Sequence, residues 1–395
     1  MLDLIAARLT GVFGQERLAR LHRAQIAVIG GGLLGAQLLL HAAMLQIRTL
    51  LVDPGVVEPE NLGNQLFPAD AVGEPKAQVR AAQMAALNPS CPVRALPERI
   101  EDVGLGQLAD SDLLLTGLDS RASRLRVADI AQQLGVDWID AAVDGSGERQ
   151  LGVVTWFRPK EADLACYGCR YDGDALAEIA REQRTAPCAS WRNRELPDSP
   201  PTLTASPFGG IVSGWQMSFA IRGLLGEGDA LAGHQLQIAG GAPPRMRSVR
   251  LARNPTCRFS HASPPAASPS PDGDTVGDLV CAAERELGAP LDGVRFPGRS
   301  LVLGLVCPAC GGRQERVKRC EAVSDAELRC PHCGSAECLP LELGDGLDAA
   351  RLQTLASHTW RSLGIPDQDL VVASSAGREI RYLLRPAIEG GGAPS

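Results

Sequence analysis

Gln25-Ile26-Ala27-Val28-Ile29-Gly30-Gly31-Gly32-Leu33-Leu34-Gly35 decides the fold of this chain. Its first five residues read as a buried strand, and the glycines then open an apolar helix pattern. Gly30 permits a tight turn, Gly32 lets backbone approach a phosphate closely, and Gly35 lets the helix pack on the strand. The helix start offers unpaired N–H groups and partial positive charge to an anion. Asp53 closes the next apolar run, Leu50-Leu51-Val52, about 20 residues on, where a carboxylate can accept from ribose hydroxyls. This much specifies a site for a dinucleotide or for ATP without choosing between them.

Outward from this stretch the pattern alternates. Strands are expected at 25–29, 48–53, 92–95, 111–116, 137–142 and 150–157, and helices at 33–46, 74–88 and 120–134, after one or two helices in 1–24. The fold class is therefore α/β: a Rossmann-like, mostly parallel sheet with helices on both faces. Ligands then sit at the carboxyl ends of the strands, where Gly30, Asp53 and Asp119 fall. Residues 158–207 break the alternation with a polar helix near 173–183 and a Pro/Ser/Thr-rich loop. A helix at 208–224 and strands at 234–239 and 246–252 complete a domain over 1–261. Residues 262–272 are a Pro/Ser-rich linker whose composition cannot build a core. A C-terminal α+β module at 273–395 follows, with helices at 275–287 and 347–355 and strands at 300–306, 370–373 and 379–384.

The bulk properties fit that plan. A chain of 395 residues, 45% hydrophobic, has room for two or three domains with real cores. A net charge of −7 argues against a general nucleic-acid or membrane-surface binder. No apolar run reaches membrane-spanning length, and Met1-Leu2-Asp3-Leu4 lacks the basic region of a signal peptide, so a cytoplasmic protein is expected. Twelve cysteines in such a protein argue for metal and thiol chemistry rather than disulfides. The clearest signal is Cys307-Pro308-Ala309-Cys310 with Cys330-Pro331-His332-Cys333, two C-x-x-C knuckles separated by 19 residues. Four thiolates at this spacing close a tetrahedral structural zinc site of the zinc-ribbon type, leaving His332 on the surface. Cys281 reads as a core position of its helix, and Cys91, Cys320 and Cys338 as incidental, although Cys320 and Cys338 sit close enough to the ribbon to be spare ligands.

Beyond Asp53 come Asn61-Leu62-Gly63-Asn64-Gln65, Gly73-Glu74-Pro75-Lys76 and Gly117-Leu118-Asp119-Ser120. On these motifs the chain resembles the ThiF/MoeB/HesA family, the bacterial relatives of ubiquitin-activating enzymes, from about residue 14 to 261. The resemblance selects ATP. It implies that Asn61 and Lys76 hold the phosphates beside the glycine loop, that Asp119 binds Mg2+, and that Asn64, Gln65 and Arg124 belong to the same site. Asp119 has an alternative role as the cap of the following helix. Asn64 stands where the family usually has Arg, and Arg8 or Arg17, in its own subunit or a second one, could restore the charge. The family adenylates the C-terminal carboxylate of a small β-grasp protein, so both reactants are anions and the site must supply positive charge and alignment.

The family also has two cysteine pairs framing the 158–207 crossover loop. Here Cys166-Tyr167-Gly168-Cys169 supplies one pair. Asn254-Pro255-Thr256-Cys257-Arg258-Phe259-Ser260-His261 carries Ser260 where the last family cysteine would stand. Cys166, Cys169, Cys257 and His261 are therefore the expected ligands of a second structural zinc. Cys188, flanked by Arg181, Arg184, Arg192 and Arg194, falls near the family's active cysteine and is the candidate thioester nucleophile.

The resulting expectation is an ATP- and Mg2+-dependent activator of a ubiquitin-like protein in a bacterial conjugation pathway, acting through Cys188. It is expected to be homodimeric, with the C-terminal module docking the ubiquitin-like protein or a conjugating enzyme, or else serving a purely structural or dimerising role. The alternatives are an adenylyltransferase for a sulfur-carrier protein, a non-catalytic scaffold on the same fold, and a nicotinamide-dependent oxidoreductase. The last would leave Lys76, Asp119 and the cysteine pairs without a role.

Overall fold

The computed structural model describes residues 2–145, 150–182, 204–257, 259–262 and 264–385. The chain divides into two compact units, the first reaching Pro264 and the second taking in Glu101–Gln107 and the chain from Pro265. In chain order the elements up to Pro264 are α1 (Leu2–Phe13), α2 (Gln15–Arg23), β1 (Gln25–Ile29), α3 (Leu33–Leu45), β2 (Arg48–Val52), α4 (Lys76–Leu87), β3 (Val93–Leu96), the single turn α5 (Gly106–Ala109), β4 (Leu113–Thr116), α6 (Arg121–Leu134), β5 (Trp138–Asp144), β6 (Leu151–Phe157), α7 (Gly173–Glu182), α8 (Ser206–Leu224), β7 (His234–Ala239) and β8 (Arg245–Arg250).

One eight-stranded sheet organises the first unit, in the order β3-β2-β1-β4-β5-β6-β7-β8. Strands β1 to β5 run parallel, and β6, β7 and β8 continue it antiparallel. Strands β1 and β4 are apolar without alternation because both faces are covered, whereas β3 at the sheet edge exposes Arg94. Ile26, Val28, Leu51, Leu115 and Ile139 join a core that includes α3, α4 and α8. On α6, Val127, Ile130 and Ala131 are buried as well. The order reverses between β2-β1 and β1-β4, and a crevice opens beyond the carboxyl ends of β1 and β4.

Two glycines make that crevice possible. Gly30 has φ 96°, a left-handed conformation that favours glycine. A Cβ on Gly35 would lie 1.9 Å from the Gly30 carbonyl oxygen, so only glycine lets α3 start directly against the loop. Helix α6 starts from Ser120, whose hydroxyl accepts the Ser123 N–H at 3.0 Å. The capping role open to Asp119 is thus filled by its neighbour.

The second unit holds β9 (Ser268–Pro269), α9 (Val276–Leu287), β10 (Gly293–Arg295), β11 (Leu301–Val306), β12 (Arg313–Gln314), β13 (Lys318–Arg319), β14 (Leu339–Gly344), β15 (Gly346–Asp348), α10 (Ala349–Thr354), β16 (Leu370–Ser375) and β17 (Arg378–Leu383). Five strands form a sheet in the order β15-β10-β16-β17-β9, and a smaller sheet gathers β12, β13 and β14 around β11. β9 lies inside the Pro/Ser-rich stretch, pairing Ser268 with Tyr382 and Pro269 with Leu383. The helix expected at 347–355 starts later, because Gly346–Asp348 pairs with β10 and Asp348 then caps α10 by accepting the Arg351 N–H at 2.8 Å. Cys281 is exposed, against the expectation of a core position. The buried face of α9 is Val276, Leu279, Ala283 and Leu287, and Cys281 falls off that stripe.

A buried ion pair ties this unit together. Arg299 donates to both oxygens of Asp369, at 2.8 and 2.7 Å, and to the carbonyls of Glu101 and Val103, while Asp369 also accepts the Leu105 N–H. Breaking such a pair on one side leaves an unpaired buried charge. Asp369→Ala is therefore expected to cost about 3–5 kcal/mol, and the double change Arg299→Met with Asp369→Leu much less. Native-state hydrogen exchange of the β16 and β17 amides measures both; equal losses would show that the pair has no such role.

A nucleotide cleft and two cysteine clusters

A cleft of about 600 Å³ lies at the carboxyl ends of β1, β2 and β4. Its wall includes Gly30, Gly32, Asp53, Asn61, Asn64, Gln65, Lys76, Leu118 and Asp119. The residues singled out from three separate motifs thus line one cavity.

Each is held by a local device. The Asp53 carboxylate accepts from Gly31 N–H at 2.5 Å and Gly55 N–H at 2.7 Å, so it fixes the glycine loop with one lone pair per oxygen. Asn61 is buried in a short 3-10 turn, and its Oδ1 accepts the Glu58 N–H at 3.0 Å, leaving its NH2 group as the donor. Lys76 is the first residue of α4, and its own N–H donates to Gly55 O at 2.8 Å. Its aliphatic stem passes over Gly55, where an added Cβ would stand 3.2 Å from Cδ. A lysine at a helix N-terminus opposes the helix dipole, a local cost of a few tenths to about 1 kcal/mol. Asp119 is exposed and precedes the cap of α6.

Several cleft atoms lack protein partners. Asn64 Oδ1, Gln65 Oε1 and Thr204 Oγ1 are buried and make no hydrogen bond among the described residues. Buried acceptors of this kind are costly unless a ligand or water satisfies them. They fit a ligand rich in donors, such as ribose hydroxyls or an amino group. Thr204 was not singled out in the sequence, because nothing in a Pro/Ser/Thr-rich loop marks one hydroxyl from another.

Arg80 was missed as well. It is 2% exposed and donates to Gly31 O (2.9 Å), Leu66 O (3.3 Å), Gln83 Oε1 (2.8 Å) and Gln65 O, with its guanidinium 3.7 Å above the Phe67 ring. Burial pushes its pKa down to about 10, opposed by the Asp53 charge. It clamps the glycine loop to the Asn61–Gln65 segment. The signal was present: Lys76 and Arg80 are four apart, hence on one face of α4. Arg124 stands behind the cleft wall, donating to Asp140 Oδ1 at 3.1 Å and to the Leu118 carbonyl. Gly35 contributes packing, as described for the fold. Cys188 lies outside the described residues.

Two cysteine clusters are assembled. In the first unit Cys166 Sγ is 3.8 Å from Cys169 Sγ and 3.7 Å from Cys257 Sγ, and His261 Nε2 is 3.4 Å from Cys169 Sγ. In the second unit Cys307, Cys310, Cys330 and Cys333 converge, with Sγ pairs at 3.6 Å. Within each cluster all four ligand atoms lie within 4.8 Å of one another, as a tetrahedral metal site requires. The two second-unit knuckles repeat one geometry. Gly311 N–H donates to Cys307 O at 2.8 Å, and Gly334 N–H to Cys330 O at 2.9 Å, with φ near 71° and 75° at these two glycines. Backbone N–H groups of Cys310 and Ala309 hold the Cys307 thiol down at about 6, against its burial. His332 is exposed.

Among the described residues no helix is long and apolar enough to cross a membrane. Three curated relatives are 29–30% identical to this chain over the matched stretches. The SAMP-activating enzyme E1 of Haloferax volcanii is 29% identical over 62% of this chain and 83% of its own. The sulfur carrier protein adenylyltransferase of Thermus thermophilus is 30% identical over 62% and 84%. The sulfur carrier protein ThiS adenylyltransferase of Escherichia coli is 29% identical over 64% and 91%. The ThiF family model matches residues 6–259, which include every cleft residue named above. With the glycine loop, the cleft and this match together, the chain belongs to the ThiF family.

Proposed function

We propose that the first unit adenylates the C-terminal carboxylate of a small ubiquitin-like protein, using ATP bound in the cleft. The observation that carries this reading is the meeting of two opposite charges, Lys76 and Asp119, neither with a hydrogen bond or ion pair among the described residues, in one cavity with the glycine loop at the start of α3. The names of the relatives support the same class of reaction, since they activate SAMP or sulfur-carrier proteins.

In this reading the carboxylate oxygen attacks the α-phosphorus of ATP. A new P–O bond forms, the bond to the β-phosphate bridge oxygen breaks, and pyrophosphate leaves. Loop N–H groups at the α3 N-terminus receive the phosphates. Lys76 offsets the charge of the approaching anions, while Asn61 donates its amide N–H and Asp53 accepts from the ribose. A single carboxylate suits a Mg2+ that keeps phosphate oxygens and waters as its other ligands, so Asp119 would hold the ion that shields the triphosphate. The cysteine clusters would each hold a structural Zn2+. A homodimer belongs to the proposal. Arg17 is already paired with Glu227 at 2.5 Å, whereas Arg8 is exposed and without a partner among the described residues, and is the side chain a second subunit would lend.

The product then has two fates. Transfer to Cys188 as a thioester would serve conjugation, with the C-terminal module docking a conjugating enzyme. Delivery of sulfur to the adenylate would serve a sulfur carrier, which the names of two relatives favour.

Exchange of labelled pyrophosphate into ATP tests the first step. It is expected only with a Gly-terminated β-grasp protein present, and Lys76→Ala should lower it by about 10²–10³; exchange unaltered in that variant removes Lys76 from the reaction. Cys188→Ala is expected to retain exchange and lose a reductant-sensitive covalent adduct. Finding no such adduct in the unaltered protein would select sulfur transfer.

A further inference from the structure

The cysteine cluster of the first unit is joined to the nucleotide cleft by an unbroken set of contacts. Tyr167 lies between two ligand positions, Cys166 and Cys169, and is buried. Its ring packs against Trp138 at 5.5 Å and Phe157 at 5.9 Å between centroids. The other half of the cluster presses on the same knuckle: Phe259, two residues from both Cys257 and His261, sits so close that a Cβ on Gly168 would fall 2.1 Å from its ring.

From Trp138 the path is made of hydrogen bonds. Trp138 Nε1 donates to Thr116 Oγ1 at 3.0 Å, and Thr116 Oγ1 donates to Asp140 Oδ1 at 2.7 Å. Asp140 Oδ1 accepts Arg124 Nε at 3.1 Å, and Arg124 donates onward to the Leu118 carbonyl. Leu118 and Asp119 are cleft wall. Trp138, Thr116, Asp140 and Arg124 are all buried. In such a medium a relay that loses one member strands the others, so it is held whole or abandoned.

We propose that metal binding at Cys166, Cys169, Cys257 and His261 is coupled to nucleotide binding through Tyr167, Trp138 and the Thr116–Asp140–Arg124 relay. With metal bound, the knuckle holds Tyr167 against Trp138 and the relay anchors the Leu118–Asp119 turn. Without it, the turn loses that anchor and the cleft binds ATP less tightly. The coupling rests on the reading that the cleft binds ATP. It is reciprocal by necessity: whatever factor zinc adds to ATP affinity, ATP adds to zinc affinity.

The test uses the full-length chain, with ATP titrated by calorimetry and zinc release to a chelator followed in parallel. His261→Ala weakens only the first-unit cluster. Its ATP dissociation constant is expected to rise at least about fivefold without added zinc and to return with excess zinc. His332→Ala, exposed in the other cluster's knuckle and not one of its four cysteines, should leave ATP affinity unchanged. Trp138→Phe keeps an aromatic ring, smaller than the indole, and removes the N–H. It should retain wild-type zinc content, while ATP no longer slows zinc release as it does in the unaltered protein. Should His261→Ala fail to fold, zinc release with and without ATP in the wild type and Trp138→Phe decides the matter. ATP affinity indifferent to zinc, or the same response in Trp138→Phe, overturns the coupling alone. A zinc-loaded wild type that binds no ATP overturns the nucleotide reading and the coupling together.

Discussion

The short bond from Gly31 N–H to Asp53 Oδ2 is the constraint on which the cleft depends. A glycine loop has no side chains to hold its shape, and its backbone must stay open toward an anion. Asp53 ties one side of the loop to the end of β2, and Arg80 ties the Gly31 carbonyl to the Asn61–Gln65 segment. The loop is thereby held through both polar groups of one residue, and the α3 N-terminus above it is left free. Gly35 completes the arrangement, since any larger residue would drive α3 off the loop.

Charge is placed in the same spirit. Lys76 sits at the end of α4 where the helix dipole disfavours a cation. Asp119 sits one residue short of the position where it would have capped α6, and Ser120 caps instead. Local stability is given up at Lys76, whereas at Asp119 the neighbouring serine makes the cap, and neither side chain has a hydrogen bond or ion pair among the described residues. Local rules broken at several points around one cavity are what a working site looks like. Arg124 and Asp140, by contrast, are fully paired behind the wall and act by fixing the backbone in front of them.

The two cysteine clusters differ in what they close. The second-unit cluster joins two short hairpin knuckles within 27 residues of chain, Cys307 to Cys333, and its turns are made by Gly311 and Gly334. The first-unit cluster spans 91 positions between Cys166 and Cys257 and draws the far end of that unit onto the knuckle after β6. A metal there would hold together parts of the chain with no local reason to meet.

The sequence by itself determined the parallel sheet, because strands buried on both faces leave uninterrupted apolar runs such as Ile26–Ile29 and Leu113–Leu115. Periodicity also located the helices between them, and glycine spacing located the loop. It marked the second-unit cysteines, whose residue types and intervals are local facts, while Lys76, Asp119 and the first-unit set of Cys166, Cys169, Cys257 and His261 entered through the resemblance to the family. It misjudged Cys281, whose side of α9 depended on which stripe the partner sheet covers, and the start of α10, where strand pairing to β10 overrode helical pattern. Thr204, the contacts made by Arg80 and the linking of Trp138, Thr116 and Asp140 to Arg124 belong to the tertiary structure alone, although the sequence placed Arg80 on the Lys76 face of α4 and put Arg124 in the site. Their partners lie far away in sequence or are backbone carbonyls that every residue possesses, so only the folded sheet decides which of them is buried, which is paired and which is left waiting for a ligand.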